Sequence, residues 1–414
     1  MLLHLAETIL WTSVAGMATS DTGNWPQFRG PTGDGQSTAR GLPLAWSESE
    51  HIRWQTPIHG RGWSSPVVWG EQVWLTTAPA DGHEAYALAV DRRNGRVLYD
   101  IKVFDVPHPQ DIHKFNSYAS PTPVVEAGRV YVHFGAHGTA CLDSGSGKIL
   151  WTRRDLECNH YRGPGSSPIL VDDLLIVHFD GSDVQYVVAL DKMTGKTVWK
   201  TDRSTDFAGC EGDYRKAFCT PIVIEVGGRR QLVSPGSEAT MAYDPRCGAE
   251  LWKVRYKGFS STLRPLAWQG LVLIATGFGK SELWAVRPDG HGDVTDSHVV
   301  WKLRKGVPSK PSAVLWGELL YMVQDNGLLS CVETKTGNVV WQEHLHGQYS
   351  ASLLAAEGRI YCFSQEGKTT VVEAGRSYKV LAESQLKDGF MASPAVTGKS
   401  LILRTEHRLL RVEQ

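Results

Sequence analysis

Apolar residues along this chain fall into short runs and strict alternations broken by turn residues, the pattern of β-strands joined by tight turns. One phrase recurs: an apolar run, an acid, two or three turn residues, Gly, and Trp four residues after the Gly. It reads LAVDRRNGRVLY (Asp91, Gly95, with Tyr99 for Trp), CLDSGSGKILW (Asp143, Gly147, Trp151) and ALDKMTGKTVW (Asp191, Gly195, Trp199). It returns as AYDPRCGAELW (Asp244, Gly248, Trp252) and CVETKTGNVVW (Glu333, Gly337, Trp341). An acid that bonds nearby backbone N–H groups and a Gly at positive φ specify a hairpin turn. The Trp then lies on the following strand, large enough to fill the wedge between two sheets.

A second phrase precedes each hairpin: a small residue, often Pro, then two short apolar segments around a tight turn. Its anchors are Pro66, Pro121, Pro168, Pro221, Pro265, Ser312, Ser352 and Pro394, about 40 to 55 residues apart. Each unit holds four short strands, the size of one β-propeller blade. The fifth unit carries an enlarged hairpin between Gly290 and Trp301, and the seventh places Leu381 where Trp is expected. The eighth stops after its third strand, at HRLLRVEQ. The missing strand is IRWQTPI (Ile52 to Ile58), which matches VVWQEHL (Val339 to Leu345). The expectation is an all-β, eight-bladed β-propeller over 46–414, closed by an N-terminal strand that completes the last blade and so removes a sheet edge. Residues 1–20 read as a leader and 21–45 as an extended segment laid across the ring.

Composition narrows the function. With 43 Lys+Arg against 44 Asp+Glu, the net charge of −1 argues against a nucleic-acid binder acting through bulk charge. Seven cysteines in 414 residues do not make a disulfide scaffold. Cys141, Cys219, Cys331 and Cys362 lie in apolar runs, while Cys158, Cys210 and Cys247 lie in turn-like text and could pair. No stretch reaches the ~18 apolar residues of a transmembrane helix. The uncharged run Thr8 to Ser20, with Gly16-Met17-Ala18 as a cleavage site, points to a periplasmic or secreted protein; without such a leader it would be cytoplasmic.

The acid-x-x-x-Gly-x-x-x-Trp repeats resemble the pyrroloquinoline-quinone-like (PQQ-like) repeat family of eight-bladed propellers. NWPQFRGPTGDG (Asn24 to Gly35) with RGWSSPVV (Arg61 to Val68) looks like a subgroup of bacterial quinoprotein-like propellers. That resemblance implies either a PQQ- and calcium-dependent dehydrogenase of alcohols or sugars, or a non-catalytic scaffold of the kind that serves outer-membrane protein assembly. Fold alone does not choose between them. The quinone enzymes clamp PQQ under a pair of adjacent cysteines, and this chain has none; its closest pair is Cys210 and Cys219. The leading expectation is therefore a binding scaffold with no catalytic or metal residues assigned.

Where the chain approaches each inner strand, a channel mouth is expected, and cations gather there: Arg61, Lys114, Arg162, Arg215, Lys216, Arg264 and Lys310. Trp63, Asn116, Tyr118, His160 and Tyr214 accompany them, with Asp111, Asp155, Glu211 and Asp213 near enough to neutralise some. Such a mouth suits a small anionic ligand, an acidic glycan or a protein partner. DGHGDVTD (Asp289 to Asp296) departs from a calcium-hand loop at Val294 and Val300, and reads as a hairpin tip. His133 and His137 are four apart on strand-and-loop text, where that spacing does not align them.

Overall fold

The computed structural model describes residues 23–414; the expected leader lies outside the described residues. Eight four-stranded sheets follow in chain order, two of them extended by a fifth strand. Blade 1 comprises Val67–Trp69, Gln72–Thr77, Glu84–Asp91 and Val97–Asp105, from the innermost strand outward. Blades 2 to 7 occupy 124–153, 169–202, 222–255, 266–303, 314–344 and 354–385. Blade 8 takes three strands from 395–412, and Ile52–Pro57 pairs antiparallel with Arg408–Val412 as its outermost strand. The propeller is thus all-β and closed by the N-terminal strand.

One contact repeats around the periphery. On the outer strands, Trp151, Trp199 and Trp301 each lie over the hairpin Gly of the next blade and donate the indole N–H to a hairpin carbonyl. Trp151 bonds Lys192 O at 3.0 Å, Trp199 bonds Pro245 O at 3.0 Å, and Trp301 bonds Thr334 O at 3.2 Å. Trp54 does the same to Arg92 O of blade 1 at 2.8 Å, which locks the closure. Opposite the aromatic, the neighbouring strand offers a small residue such as Ala189 or Cys331. The Gly is required for space as well as φ: a Cβ on Gly195 would lie 2.7 Å from the Trp151 ring.

The two irregular units obey the same physics. Blade 5 has no Gly for Trp252. There the indole bonds Gln231 Oε1 at 2.7 Å and the Gln231 amide bonds Pro288 O at 3.1 Å, relaying the contact. Its enlarged hairpin returns Gly292–Asp293 as a parallel fifth strand on Trp252–Lys253 of blade 4. In blade 7 the register puts Ala382, not Leu381, at the Trp position. Blade 8 has no hairpin between its third and fourth strands, so a Trp there would have nothing to dock on. A second register correction falls in blade 2. Thr122-Pro123, rather than Ser120-Pro121, leads into Val124–Glu126, because the hydroxyl of Thr122 takes the place held by Ser65 and Ser167 in neighbouring blades.

Residues 24–46 run along the inner strands. Trp25 exchanges two backbone hydrogen bonds with Val68, Pro26 O accepts from Val125, and Gln36–Ser37 adds a parallel strand to blade 7. Trp25, Leu42, Trp46, Trp54 and Ile58 are buried in one cluster with blades 1, 7 and 8.

Candidate functional site: the axial channel

Each inner strand is preceded by the same arrangement, so chain order becomes axial order: a mouth loop, one buried residue at the channel wall, then the strand. The wall residues are Ser65, Thr122, Ser167, Thr220, Arg264, Ser312, Ser352 and Ser393. Seven are hydroxyls, and each accepts a backbone N–H from the preceding blade at 2.9–3.1 Å. The belt runs around the ring and is interrupted only at blade 5, where Arg264 stands. Among the described residues no protein acceptor receives any of the seven O–H protons, and all seven line a cavity of about 370 Å³ on the axis. Phe28 of the N-terminal segment lines the same cavity from the side away from the mouth.

Above the belt the wall is aromatic. Trp63, Phe115, Phe218, Phe259 and Phe278 line it with Met391 and Pro164. Of the residues expected at the mouth, Trp63, Asn116, Arg162 and Lys310 line this cavity. Asn116 bridges loops, donating to Arg162 O at 2.9 Å and Pro164 O at 3.1 Å. Trp63 donates to Phe115 O at 3.0 Å. Arg162 makes a two-pronged ion pair with Asp213 at 3.0 Å, which holds its guanidinium above its ordinary pKa. Lys310 pairs with Asp325 at 3.2 Å.

The other expected residues lie elsewhere. Arg61 donates to Lys114 O at 3.0 Å, and Lys114 itself is exposed. His160 is buried, accepts the Ala136 N–H at 3.0 Å and has its Nδ1 3.8 Å from Cys158 Sγ; burial keeps its pKa well below the ordinary range. Arg215 reaches Asp183 O at 3.4 Å. Lys216 is fully buried with no hydrogen-bond partner for its amine, whose pKa burial pushes down to about 8. Arg264 turns away from the mouth to Pro221 O at 3.1 Å and Phe28 O at 2.5 Å, holding the N-terminal segment.

Five of the cations at this end share one habit: each sits over an aromatic ring. Arg61 lies 4.7 Å from the Trp63 ring centre, Arg162 4.5 Å from Tyr161, Lys216 4.5 Å from Phe218 and Lys310 4.3 Å from Phe115. Arg215 faces Phe207 at 5.4 Å. The mouth is therefore a set of cation–aromatic pairs, two of them closed by carboxylates, rather than a ring of free charge. Tyr161, Tyr214 and Phe278 are exposed around it, with Tyr214 packed on Phe259 at 4.6 Å. Sequence reading did not single out Phe115, Phe218, Phe259, Phe278 or the belt. The belt had a signal, a Ser or Thr immediately before five of the anchoring Pro residues.

The donors needed for calcium and a clamped quinone are not assembled here. Calcium takes six to eight oxygens, largely carboxylate; Asp213 is the carboxylate on the cavity wall, and it is committed to Arg162. Among the described residues no three His, Cys, Asp or Glu side chains are placed to hold a metal. All seven cysteines are free, and no two are adjacent in sequence. His133 bonds Thr139 Oγ1 at 2.8 Å, while His137 accepts from Gln110 N at 3.3 Å.

The family model described as outer membrane protein assembly factor BamB, a model of PQQ-like repeats, matches residues 106–201 and 183–413. BamB of Moranella endobia (strain PCIT) is 25% identical over 198 residues, 45% of this chain and 50% of the relative, so the match spans half that protein's length. Among solved structures, BamB from Moraxella catarrhalis superposes with a TM-score of 0.62 at 12% identity, covering 88% of this chain and 99% of that one. A europium-containing methanol dehydrogenase gives 0.67 at 12% identity, covering 95% and 90%. At such identities the superpositions show the shared fold alone. The match of the repeat model to most of the chain does more: this protein belongs to the BamB-type family of eight-bladed, PQQ-like β-propellers.

Proposed function

We propose that this chain is a non-catalytic, periplasmic scaffold that binds a protein partner at its channel mouth and serves outer-membrane protein assembly. The observation that carries the reading is the mouth itself, where exposed Tyr161, Tyr214 and Phe278 stand among arginines already stacked on aromatic rings. Tyr, Trp and Arg around a desolvated pocket are the composition of interface hot spots. A small anion or an acidic glycan would have to draw Arg162 from Asp213 and Lys310 from Asp325. A protein loop can use the aromatics as they stand. Family membership supports the same reading, and no helix among the described residues is long and apolar enough to cross a membrane.

The test is genetic and biochemical. Deleting the gene in its host should lower the level of folded outer-membrane proteins. Wild-type chain should restore it, and a Tyr214→Ala/Phe278→Ala/Arg162→Ala variant that accumulates normally should not. Unchanged outer-membrane protein in the deletion strain, or dye reduction by the chain reconstituted with PQQ and calcium, would overturn the scaffold reading.

A further inference from the structure

Below the mouth, the belt presents a problem of its own. Seven side chains, each no more than 6% exposed, have one lone pair occupied by a backbone N–H and a proton without a protein acceptor. Buried hydroxyl protons are ordinarily satisfied. These face one cavity, so whatever satisfies them lies on the axis and accepts hydrogen bonds.

Charge decides what kind of acceptor. Three fully buried guanidinium groups lie behind the cavity wall, and each bonds a backbone carbonyl of a belt residue or its immediate neighbour. Arg29 donates to Ser312 O at 3.2 Å and Ala313 O at 2.5 Å. Arg404 donates to Ser64 O at 3.0 Å and Arg264 to Pro221 O at 3.1 Å. Among the described residues, none of the three has a carboxylate within ion-pair distance. Asp34 is the acid whose field reaches Arg29 and Arg264, and none acts on Arg404. Away from the axis the chain treats a buried arginine differently: Arg203 is clasped by Asp180 at 2.5 and 2.8 Å. Burying unpaired charge is costly, and a counterion removes much of that cost.

We propose that the channel binds a small inorganic anion of the halide, phosphate or sulfate class at the level of the belt. The hydroxyls of Ser65, Thr122, Ser167, Thr220, Ser312, Ser352 and Ser393 supply its donors, and Arg29, Arg264 and Arg404 supply the compensating charge. This site lies deeper in the cavity that the protein-binding mouth opens into, and its test reads independently of that mouth.

Titration calorimetry of the full chain with sodium bromide, phosphate and sulfate at constant ionic strength tests it, together with bromide anomalous diffraction from crystals. Binding of one anion per chain is expected, with an anomalous peak on the axis between Thr122 and Ser312. Thr122→Val, which keeps the shape and loses the hydroxyl, should weaken binding about fivefold, the worth of one hydrogen bond. Arg404→Met should weaken it further. Absence of both heat and an axial peak would overturn the proposal, as would a peak that both variants leave at full strength. Should either variant fail to fold, the wild-type titration and peak decide alone.

Discussion

At the periphery of this propeller one solution is copied from blade to blade; at the axis no two mouth loops are alike. The outer hairpins use an acid, a Gly and a Trp at constant spacing, and where the spacing breaks, in blade 5, Gln231 restores the contact by relay. The mouth loops differ in length and in what they carry: Arg61 stacks on Trp63 and Arg162 on Tyr161 within their own loops, while Lys310 reaches Phe115 of the loop before blade 2. Repetition here serves packing, because identical wedges close a ring. On the proposed scaffold reading, departure from repetition would serve recognition, because a partner seated on the mouth would meet several different loops at once. The N-terminal segment belongs to both regions, supplying Trp54 to the periphery and Phe28 and Arg29 to the axis.

The largest effect should follow from removing that segment. Deleting residues 24–58 takes Trp25, Leu42, Trp46, Trp54 and Ile58 out of one core cluster and opens blade 8 to a bare edge. At roughly 1.5–3 kcal/mol for each large side chain, the loss is on the order of 10 kcal/mol, comparable to the whole stability of a typical domain. The expected outcome is an insoluble or unfolded chain by circular dichroism. A soluble product with unchanged melting temperature would show that the ring closes without its N-terminal strand.

Next in size is a paired glycine experiment that separates turn conformation from blade packing. Gly195 and Gly128 both hold positive φ, at 72° and 78°. A Cβ at Gly195 would strike the Trp151 ring, whereas one at Gly128 meets nothing within 4 Å. Gly128→Ala should cost about 1 kcal/mol for the left-handed backbone alone. Gly195→Ala should cost about 2–4 kcal/mol, because overlap with the half-buried Trp151 ring is added. Urea denaturation midpoints measure both, and equal losses would mean that the peripheral Trp–Gly contact contributes nothing beyond the turn.

What could be read from sequence follows the same division. The hairpins were legible because Asp191, Gly195 and Trp199 stand at the same separations as Asp143, Gly147 and Trp151, and periodicity survives without coordinates. Strand Ile52–Pro57 was found by likeness to another outer strand. The axis was harder. Pro121 and Pro123 both fit an anchor, and only strand pairing selects Thr122-Pro123. Arg264 and Lys216 read as mouth cations because a loop position says nothing about where a long side chain ends. One turned to the N-terminal segment and the other was buried. The ring of unanswered hydroxyls exists only once seven non-adjacent residues are brought together.

The smallest of these effects tests whether the axial region gives up stability where the periphery does not. Lys216 is buried beside the mouth with its amine over the Phe218 ring and no hydrogen-bond partner. The unfolded chain keeps this proton up to the ordinary 10.5, the folded chain only to about 8, so between those values the unfolded state binds more protons. Wild-type stability should therefore rise with pH from about 8 towards 10.5, and the charged amine should weaken the fold most at pH 8 and below. Lys216→Met removes the charge and keeps the bulk. The shift sets a ceiling of roughly 3 kcal/mol on the gain; loss of the contact with the Phe218 ring returns about 1 kcal/mol or more, leaving a net gain of about 1–2 kcal/mol at pH 7. The gain should fade as pH approaches 10.5, a dependence that tighter packing alone would not produce. A variant less stable than wild type at pH 7, or a gain that ignores pH, would show that the buried amine has a partner at the mouth and is a working part of it.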